Sequence, residues 1–266
     1  MRKATKIAIA AATEAGGLLR SQFFARSGYG VTYKKFKEPV SLVDYASNDI
    51  IIRHISRAFP RHRILSEESE EALDATIGKE PTWIIDPLDG TSNFIAGIPI
   101  FGLSVVLVEN RIPQVGLIYD PTHNEMFVAE RGKGTKLNGK KIFVSDRDVV
   151  KGAMLFAGRG YRQDDRFRHG KVIYALEKQT TYFRRLGSAT VMLASVAAGR
   201  ADSVILTGNK PWDTVAGVLL VEEAGGRVTD YCGKKWTISR PDVVATNGDI
   251  HSKIISITKT VASLCR

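Results

Sequence analysis

Residues 83–94 read WIIDPLDGTSNF, and this stretch constrains the chain more strongly than any other. An apolar strand runs directly into Asp86, Pro87 then fixes the backbone, and Asp89 follows three residues after the first aspartate. The Asp-Gly pair permits a sharp turn, and the two hydroxyl residues behind it can cap a helix. A strand, a turn and a cap explain most of this pattern. They do not explain a carboxylate at the end of a buried apolar strand.

Further acidic residues precede this strand. Residues 67–89 hold eight acidic residues, Glu67 and Glu68 among them, against one lysine, hence a local charge of −7 in a chain of net charge +10. Two carboxylates about 4 Å apart repel by about 4 kcal/mol at an effective dielectric of about 20, so a cluster needs a cation or a shared proton. Oxygen ligands without histidine or cysteine favour Mg²⁺ over zinc. The residues alone leave open a magnesium site or a solvated acidic loop.

A third acidic position stands at the start of a predicted helix. Residues 210–217 read KPWDTVAG and continue to EEAGG at 222–226. Pro211 and Asp213 are typical of a helix start, and the glycine pair is typical of its end. Taken alone, Asp213 is explained by the helix dipole, which favours an acid there by about 0.3–1 kcal/mol.

Composition indicates an ordinary globular protein. The chain has 266 residues, of which 44% are hydrophobic and 25% charged, so a disordered tail, a collagen-like fibre and a small disulfide scaffold are excluded. No apolar run approaches the roughly 18 residues of a membrane span, and we expect no membrane partner. Cys232 and Cys265 are too few for a disulfide framework. A bond between them stays open, but a reducing cytoplasm is the simpler interpretation.

Hydrophobic periodicity predicts sheets covered by helices. Helices are predicted at residues 3–20, closing near Gly16 and Gly17 or fraying beyond them, and at 44–59. The first half then continues as a meander, with strands predicted at 82–85, 102–108, 112–119 and 124–129 and a tight turn at Asn138-Gly139.

The second half alternates strands with helices, which predicts a layered α/β arrangement with some parallel pairing. Strands are predicted at 153–157, 181–185, 203–206 and 243–246, and helices at 164–178, 188–198, 213–224 and 249–263. The change from a meander to alternating strands and helices divides the chain into halves, 1–148 and 149–266, which we expect to pack closely as one unit.

Taken together, the three acidic segments resemble the inositol monophosphatase family of magnesium-dependent, lithium-sensitive phosphatases. The matching segments are 67–69, 83–94 and 212–226, supported by 40–44, 185–189 and 197–202. The resemblance covers about residues 35–250. It implies the layered αβαβα sandwich of the inositol monophosphatase and fructose-1,6-bisphosphatase type, a homodimer, and hydrolysis of a small phosphorylated alcohol by an inositol-phosphate phosphatase.

The resemblance also implies a set of metal ligands. Glu67, Asp86 and the backbone carbonyl of Leu88 would hold a first Mg²⁺, and Asp86, Asp89 and Asp213 would hold a second. A third ion near Glu67 would bring the number to three. The first half would thus carry most of the ligands, and the second half would carry Asp213 and the helix on the substrate side.

The remaining roles concern catalysis and substrate. The resemblance implies that Thr91, paired with Asp44, orients the attacking water, with Glu67 as a further catalytic residue. The implied substrate contacts are Asp89, Gly90, Thr91, Gly187, Ser188, Ala189 and Asp213, of which Gly90 and Thr91 would present backbone N–H groups to the phosphate.

The chain departs from the family at Leu206, where animal enzymes place a glutamate that contacts inositol hydroxyls. A leucine accepts no hydrogen bond, so this change weakens specificity for inositol. Fructose 1,6-bisphosphate, NADP and other sugar or nucleotide phosphates are therefore alternative substrates, and a second phosphate would suit Arg184, Arg185 or Lys210.

Bases and aromatics alternate in two further segments, 33–37 and 159–171. This mixture is typical of a nucleic-acid surface, although a solvated surface that steers phosphorylated substrates explains it as well. An RNA- or transcription-associated binding protein therefore stays open as a function of another class.

Overall fold

We describe the fold from a computed structural model, which covers residues 1–25, 29–34, 39–69, 76–180 and 182–260. Within these residues the helices are α1 Lys3–Ala25, α2 Leu42–Ala58, α3 Thr91–Ala96, α4 Gln163–Glu177, α5 Ala189–Ala197, α6 Pro211–Glu223 and α7 His251–Thr260. The strands are β1 Thr32–Tyr33, β2 Pro39–Val40, β3 Arg63–Ser66, β4 Thr82–Asp89, β5 Gly102–Glu109, β6 Ile112–Asp120, β7 Glu125–Glu130, β8 Thr135–Leu137, β9 Lys140–Ile142, β10 Leu155–Arg159, β11 Phe183–Arg184, β12 Ser203–Thr207, β13 Arg227–Thr229 and β14 Val243–Thr246.

The first large sheet follows chain order from β3 to β9, and every pairing after the parallel β3–β4 pair is antiparallel. Its central strands are buried on both faces, because side chains alternate between two helix layers. Trp83 and Ile85 pack with α1 and α2, whereas Ile84 and Val106 pack with α5 and α6. This sheet is the predicted meander.

The second large sheet has the order β11-β10-β12-β14-β13, in which β10, β11 and β12 run parallel. One face joins the core of α5 and α6 through Val204 and Leu206, and the other packs on α4 and α7 through Leu155 and Ile205. The layers are therefore α1 and α2, sheet, α5 and α6, sheet, α4 and α7. This order confirms the αβαβα sandwich.

Several boundaries differ from the sequence predictions. The closure of α1 near Gly16 and Gly17 is wrong, since the helix continues to Ala25. A Cβ at Gly16 would lie 2.2 Å from a ring carbon of Tyr119, so this glycine serves helix-to-sheet packing and does not end the helix. Strand β13, which has three residues, is not among the strands predicted from the sequence.

Some predictions lie beyond what the structure describes. The residues concerned are Lys35–Lys37 of the first basic segment, 70–75 of the acidic segment, 181 of the predicted strand 181–185, 261–263 of the last predicted helix, and Cys265. The division into halves at 148 and 149 stays a prediction. No helix in the described part of the chain combines the length and apolarity that a membrane crossing needs.

Candidate active site

The turn after β4 builds the centre of the site. Pairing between β4 and β5 shifts register between Asp86 and Asp89, so the strand bulges where the two aspartates stand. Gly90 follows with a φ of 93°, and α3 begins at the next residue. A Cβ at Gly90 would lie 3.0 Å from the carbonyl oxygen of Ile100. Glycine is therefore required both by the backbone angle and by the close approach of the chain.

Carboxylates from three separate elements converge beside this turn. Glu67 follows β3, Asp86 stands in β4, and Asp213 stands in the first turn of α6. Each offers an oxygen, and these oxygens lie within 4.8 Å of one another. Leu88 and Asp89 line the same cavity, whose volume is about 760 Å³. The structure thus brings together all the residues proposed as metal ligands.

The cluster is electrostatically costly without a cation. Burial raises the pKa of Asp86 well above its ordinary value, and repulsion from Glu67, Asp89 and Asp213 adds to the effect. Burial likewise raises the pKa of Glu67 and Asp89. The Oδ1 of Asp86 accepts a bond of 3.1 Å from the N–H of Leu88, but its buried Oδ2 has no hydrogen-bond partner among the described residues. An unsatisfied oxygen in an all-oxygen cluster fits a hard divalent cation.

Lys34, which the sequence analysis placed in the first basic segment and not in the site, supplies a positive charge beside the carboxylates. Its Nζ lies 2.9 Å from Oε1 of Glu67 and 2.7 Å from Oε1 of Glu68. Burial alone would lower the pKa of Lys34, but the two carboxylates outweigh it and raise that pKa. The ammonium therefore stays charged and offsets part of the repulsion around Glu67.

Thr91 and Asp44 form the contact that the resemblance implies. The Thr91 Oγ1 lies 3.0 Å from Oδ1 of Asp44 and 2.9 Å from the carbonyl oxygen of Leu88, so either oxygen can accept its single proton. Asp44 is fixed in turn by the cap of α2, where the N–H and hydroxyl of Ser41 donate to its Oδ2 at 2.9 and 2.6 Å. Burial raises the pKa of Asp44, and these hydrogen bonds oppose the rise.

Asp89 is held by the start of α5. Its Oδ2 accepts from the hydroxyl of Ser188 at 2.6 Å and from the N–H and hydroxyl of Thr190, both at 2.7 Å. Gly187 and Ala189 line the cavity, whereas the buried side chain of Ser188 binds Asp89 instead of lining it. The sequence carried no signal for Thr190, since its contact depends on a residue about a hundred positions away.

Asn93 closes the same side of the site. Its Nδ2 donates to the carbonyl oxygens of Ile100 and Leu186, each at 2.7 Å. A Cβ at Gly187 would lie 2.9 Å from that nitrogen, so the amide fixes the segment that precedes α5. Asn93 lies in the stretch quoted first, although its type alone did not reveal this function.

Comparison with known proteins identifies the family to which this fold belongs. A sequence model of the inositol monophosphatase family matches residues 1–263. The Nus factor SuhB of Pasteurella multocida is 36% identical over 259 residues, which cover 96% of each chain. Two solved structures superpose on the fold. The extragenic suppressor protein suhB of Bartonella henselae has a TM-score of 0.89 at 32% identity, covering 97% of this chain and 99% of its own. An inositol monophosphatase from Anabaena has a TM-score of 0.83 at 37% identity, covering 96% and 95%. This chain belongs to the inositol monophosphatase family.

Proposed function

We propose that this protein is a Mg²⁺-dependent phosphatase that hydrolyses small phosphate monoesters by attack of water on phosphorus. The observation that carries the proposal is the convergence of Glu67, Asp86 and Asp213, with a buried oxygen of Asp86 left unsatisfied within the described residues. Family membership supports the same activity.

The carboxylates divide into two ligand sets. We assign Glu67, Asp86 and the carbonyl of Leu88 to one ion, and Asp86, Asp89 and Asp213 to another. When bound, two such ions lower the pKa of a water and stabilise the attacking and leaving oxygens of an in-line displacement. The hydrogen bonds from Ser188 and Thr190 hold the carboxylate of Asp89 in place before any ion arrives.

Thr91 is the residue that we assign to orienting the attacking water. Its hydroxyl hydrogen is donated to Asp44 or to the carbonyl of Leu88, so a lone pair of Oγ1 is left to accept a hydrogen bond from the water. Asp44 cannot turn away, since Ser41 holds its other oxygen with two bonds. The water therefore meets a fixed acceptor.

The substrate would lie between α3 and α5. The backbone N–H groups of Gly90 and Thr91 open α3, where the first amides have no partner inside the helix and suit a phosphate. Gly187 and Ala189 line the cavity on the alcohol side. Inositol 1-phosphate is the substrate that family membership suggests. The departure at Leu206 makes fructose 1,6-bisphosphate, NADP and other sugar or nucleotide phosphates the alternatives.

A substrate screen with and without Mg²⁺ tests the activity. We expect release of inorganic phosphate from one or more of these compounds with Mg²⁺, and loss of that release after chelation with EDTA. An Asp86→Asn variant should lose the activity with its fold retained, as measured by circular dichroism. Phosphate release that is equal with and without the metal would refute the proposal.

A role with RNA or the transcription machinery is the second candidate. The relative from Pasteurella multocida carries the name Nus factor. One face of α4 also presents Phe167 and Tyr174, which are 64% and 66% exposed, and Lys171 and Lys178 lie 4.3 Å from their respective ring centroids. Exposed aromatics alternating with bases suit stacked nucleotides. Salt-dependent binding of RNA without Mg²⁺-dependent phosphate release would favour this candidate.

Two further expectations stay predictions. Family resemblance implies a homodimer, which light scattering of the purified chain would measure. Localisation in the cytoplasm also stays a prediction, which fractionation of the source cells would test.

A further inference from the structure

The loop between β12 and α6, residues 208–210, places Asp213 in the site. Asp213 offers one oxygen to the carboxylate cluster. Its Oδ2 accepts a hydrogen bond of 2.7 Å from the backbone N–H of Lys210 and one of 3.3 Å from Nδ2 of Asn209. Both donors belong to the loop, so the position of this carboxylate depends on the path that the loop follows.

Two residues that precede β14 hold this loop from another side. The ladder between β12 and β14 ends before the loop begins. Beyond the ladder, Oδ1 of Asp242 accepts a bond of 2.9 Å from the N–H of Gly208. The carbonyl oxygen of Pro241 accepts a bond of 2.9 Å from the N–H of Asn209. Two consecutive amides of the loop are therefore fixed by two consecutive residues, the first of them through a side chain.

The loop also packs closely against α4 and the end of β10. Gly208 has a φ of 70°, and a Cβ at this residue would lie 2.1 Å from Cγ of Asp165 in the first turn of α4. A Cβ at Gly160, which directly follows β10, would lie 2.5 Å from the carbonyl oxygen of Gly208. Glycine is therefore required at position 208 by the backbone angle and by the neighbouring carboxylate.

Arg168 of α4 connects the carboxylates of Asp165 and Asp242. Its Nη2 donates to Oδ1 of Asp165 at 2.8 Å, and its two terminal nitrogens donate to the two oxygens of Asp242 at 2.5 and 3.2 Å. The contact with Asp242 is bidentate, which fixes the plane of that carboxylate as well as its distance. Burial alone would lower the pKa of Arg168, but the bonds to Asp242 and Asp165 outweigh it and raise that pKa. The guanidinium therefore stays charged and holds Asp242 in place.

We propose that Asp242, held by Arg168, is a positioning residue for Asp213 and thereby sets the affinity of the site for a divalent cation. The proposal rests on the proposed function. Neither Asp242 nor Arg168 is among the residues that line the cavity, so both act through the loop and not on the substrate. The other carboxylates of the cluster repel Asp213, and a loosened loop would let its side chain turn away from them. Outer partners that hold a metal ligand in place commonly change metal affinity by about 10–100-fold.

The first measurement is the dissociation constant for Mg²⁺, determined by calorimetry on the full chain without substrate. In an Asp242→Ala variant, which removes the acceptor for the Gly208 N–H, we expect this constant to rise at least about tenfold. Asp120→Ala is the matched control, because Oδ1 of Asp120 likewise accepts from a backbone N–H, that of His123 at 3.1 Å, in a turn outside the site. The control should keep the parent constant. Half-maximal phosphate release should move to a higher Mg²⁺ concentration in Asp242→Ala alone.

A second variant, Arg168→Gln, leaves the loop and Asp242 unchanged and removes only the ion pair. We expect the Mg²⁺ dissociation constant to rise by about threefold, the equivalent of a partly exposed ion pair. This variant carries the test if circular dichroism shows that Asp242→Ala does not fold.

Amide hydrogen exchange of the metal-free chain, followed by NMR, reports on the loop itself. The informative amides are those of Asn209 and Lys210, because their acceptors, Pro241 and Asp213, are present in both variants. We expect both amides to exchange faster in Asp242→Ala than in the parent, and at the parent rate in Asp120→Ala.

These measurements separate failure of the positioning role from failure of the proposed function. Mg²⁺ affinity that falls in both variants, without phosphate release from any compound by the parent, would remove the phosphatase and keep the positioning role. Phosphate release by the parent, with a Mg²⁺ dissociation constant that the variants alter no more than Asp120→Ala does, would remove the positioning role and keep the phosphatase. Parent-like exchange at Asn209 and Lys210 in Asp242→Ala would also overturn the positioning role.

Discussion

The position of Asp89 is fixed by hydrogen bonds, so its negative charge can be removed by substitution without moving the side chain. Three donors from Ser188 and Thr190 converge on its Oδ2, so its place in the cavity does not depend on a bound ion. An Asp89→Asn variant keeps an oxygen for most of these contacts and loses only the negative charge. We expect kcat for phosphate release to fall by about 10²–10³-fold, the range for removing one group that stabilises transition-state charge.

The control for Asp89 is a second carboxylate held in a similar way outside the site. Asp120 is 5% exposed, and its Oδ1 accepts from the N–H and hydroxyl of Thr122 at 2.9 and 2.6 Å. Asp120→Asn should keep the parent kcat. Parent-like turnover by Asp89→Asn, with the thermal midpoint unchanged, would show that Asp89 is not a metal ligand.

Helix α1 contains two adjacent glycines in opposite environments, one buried and one exposed. A Cβ at buried Gly16 would lie 2.2 and 2.4 Å from ring carbons of Tyr119, whereas no heavy atom lies within 4 Å of a Cβ at exposed Gly17. Gly16→Ala should therefore destabilise the protein by about 1–3 kcal/mol through overpacking. Gly17→Ala should stabilise it by about 0.5–1 kcal/mol through helix propensity. Urea unfolding of both variants measures the difference, and equal effects would contradict the packing argument.

The same helix shows where sequence reasoning is limited. Local patterns predict β4, the meander and the 138–139 turn, since alternation and turn chemistry are short-range properties. They did not predict that α1 continues through Gly16, because the reason for a glycine there, close packing against the Tyr119 ring of β6, is not a local property. In the site, the motif segments named the carboxylates. The contacts of Lys34 with Glu67 and of Thr190 with Asp89 were not predicted, because only the assembled layers bring these residues together.

His251, the first residue of α7, joins that helix to two strands. Its ring nitrogens lie 3.0 Å from the hydroxyl of Thr229 in β13 and 2.9 Å from that of Thr246 in β14. Burial, with a smaller contribution from Arg227, lowers its pKa from 6.5 to about 4. As pH falls below 6.5 the unfolded chain takes up the proton first. The free energy of unfolding therefore decreases between about pH 6.5 and 4.

A His251→Gln variant tests this pH dependence. Urea midpoints at pH 7 and pH 5 should differ less in the variant than in the parent, since the variant has lost one buried titrating group. At pH 8 the imidazole is neutral in both the folded and the unfolded parent. A difference in urea midpoint between the two proteins at that pH therefore reports the lost packing and hydrogen bonds of the ring, and not its titration. An equal loss of stability in both proteins between pH 7 and 5 would contradict the account.

The proposed metal site joins separate layers of the molecule. Binding of an ion there is therefore coupled to the folding of the whole chain. Glu67 and Asp86 come from the first sheet, and Asp213 comes from the helix layer that separates the two sheets. Basic residues at the edge of the second sheet face the same cavity. Folding must therefore press three carboxylates together against their repulsion, a cost that the unfolded chain does not meet.

A divalent cation should accordingly stabilise the folded chain as a whole. Binding to the folded state alone adds about 2.7 kcal/mol to the free energy of unfolding when the ion is at 100 times its dissociation constant. We expect the thermal midpoint, measured by calorimetry at matched ionic strength, to rise by several degrees with Mg²⁺. Asp86→Asn should abolish most of this rise. It should also raise the metal-free midpoint or leave it unchanged, because burial and three neighbouring carboxylates already disfavour the ionised form of Asp86. A midpoint that does not respond to millimolar Mg²⁺ in the parent would show that these carboxylates do not form a cation site, since Glu67, Asp86 and Asp213 are the group with metal-ligand geometry among the described residues.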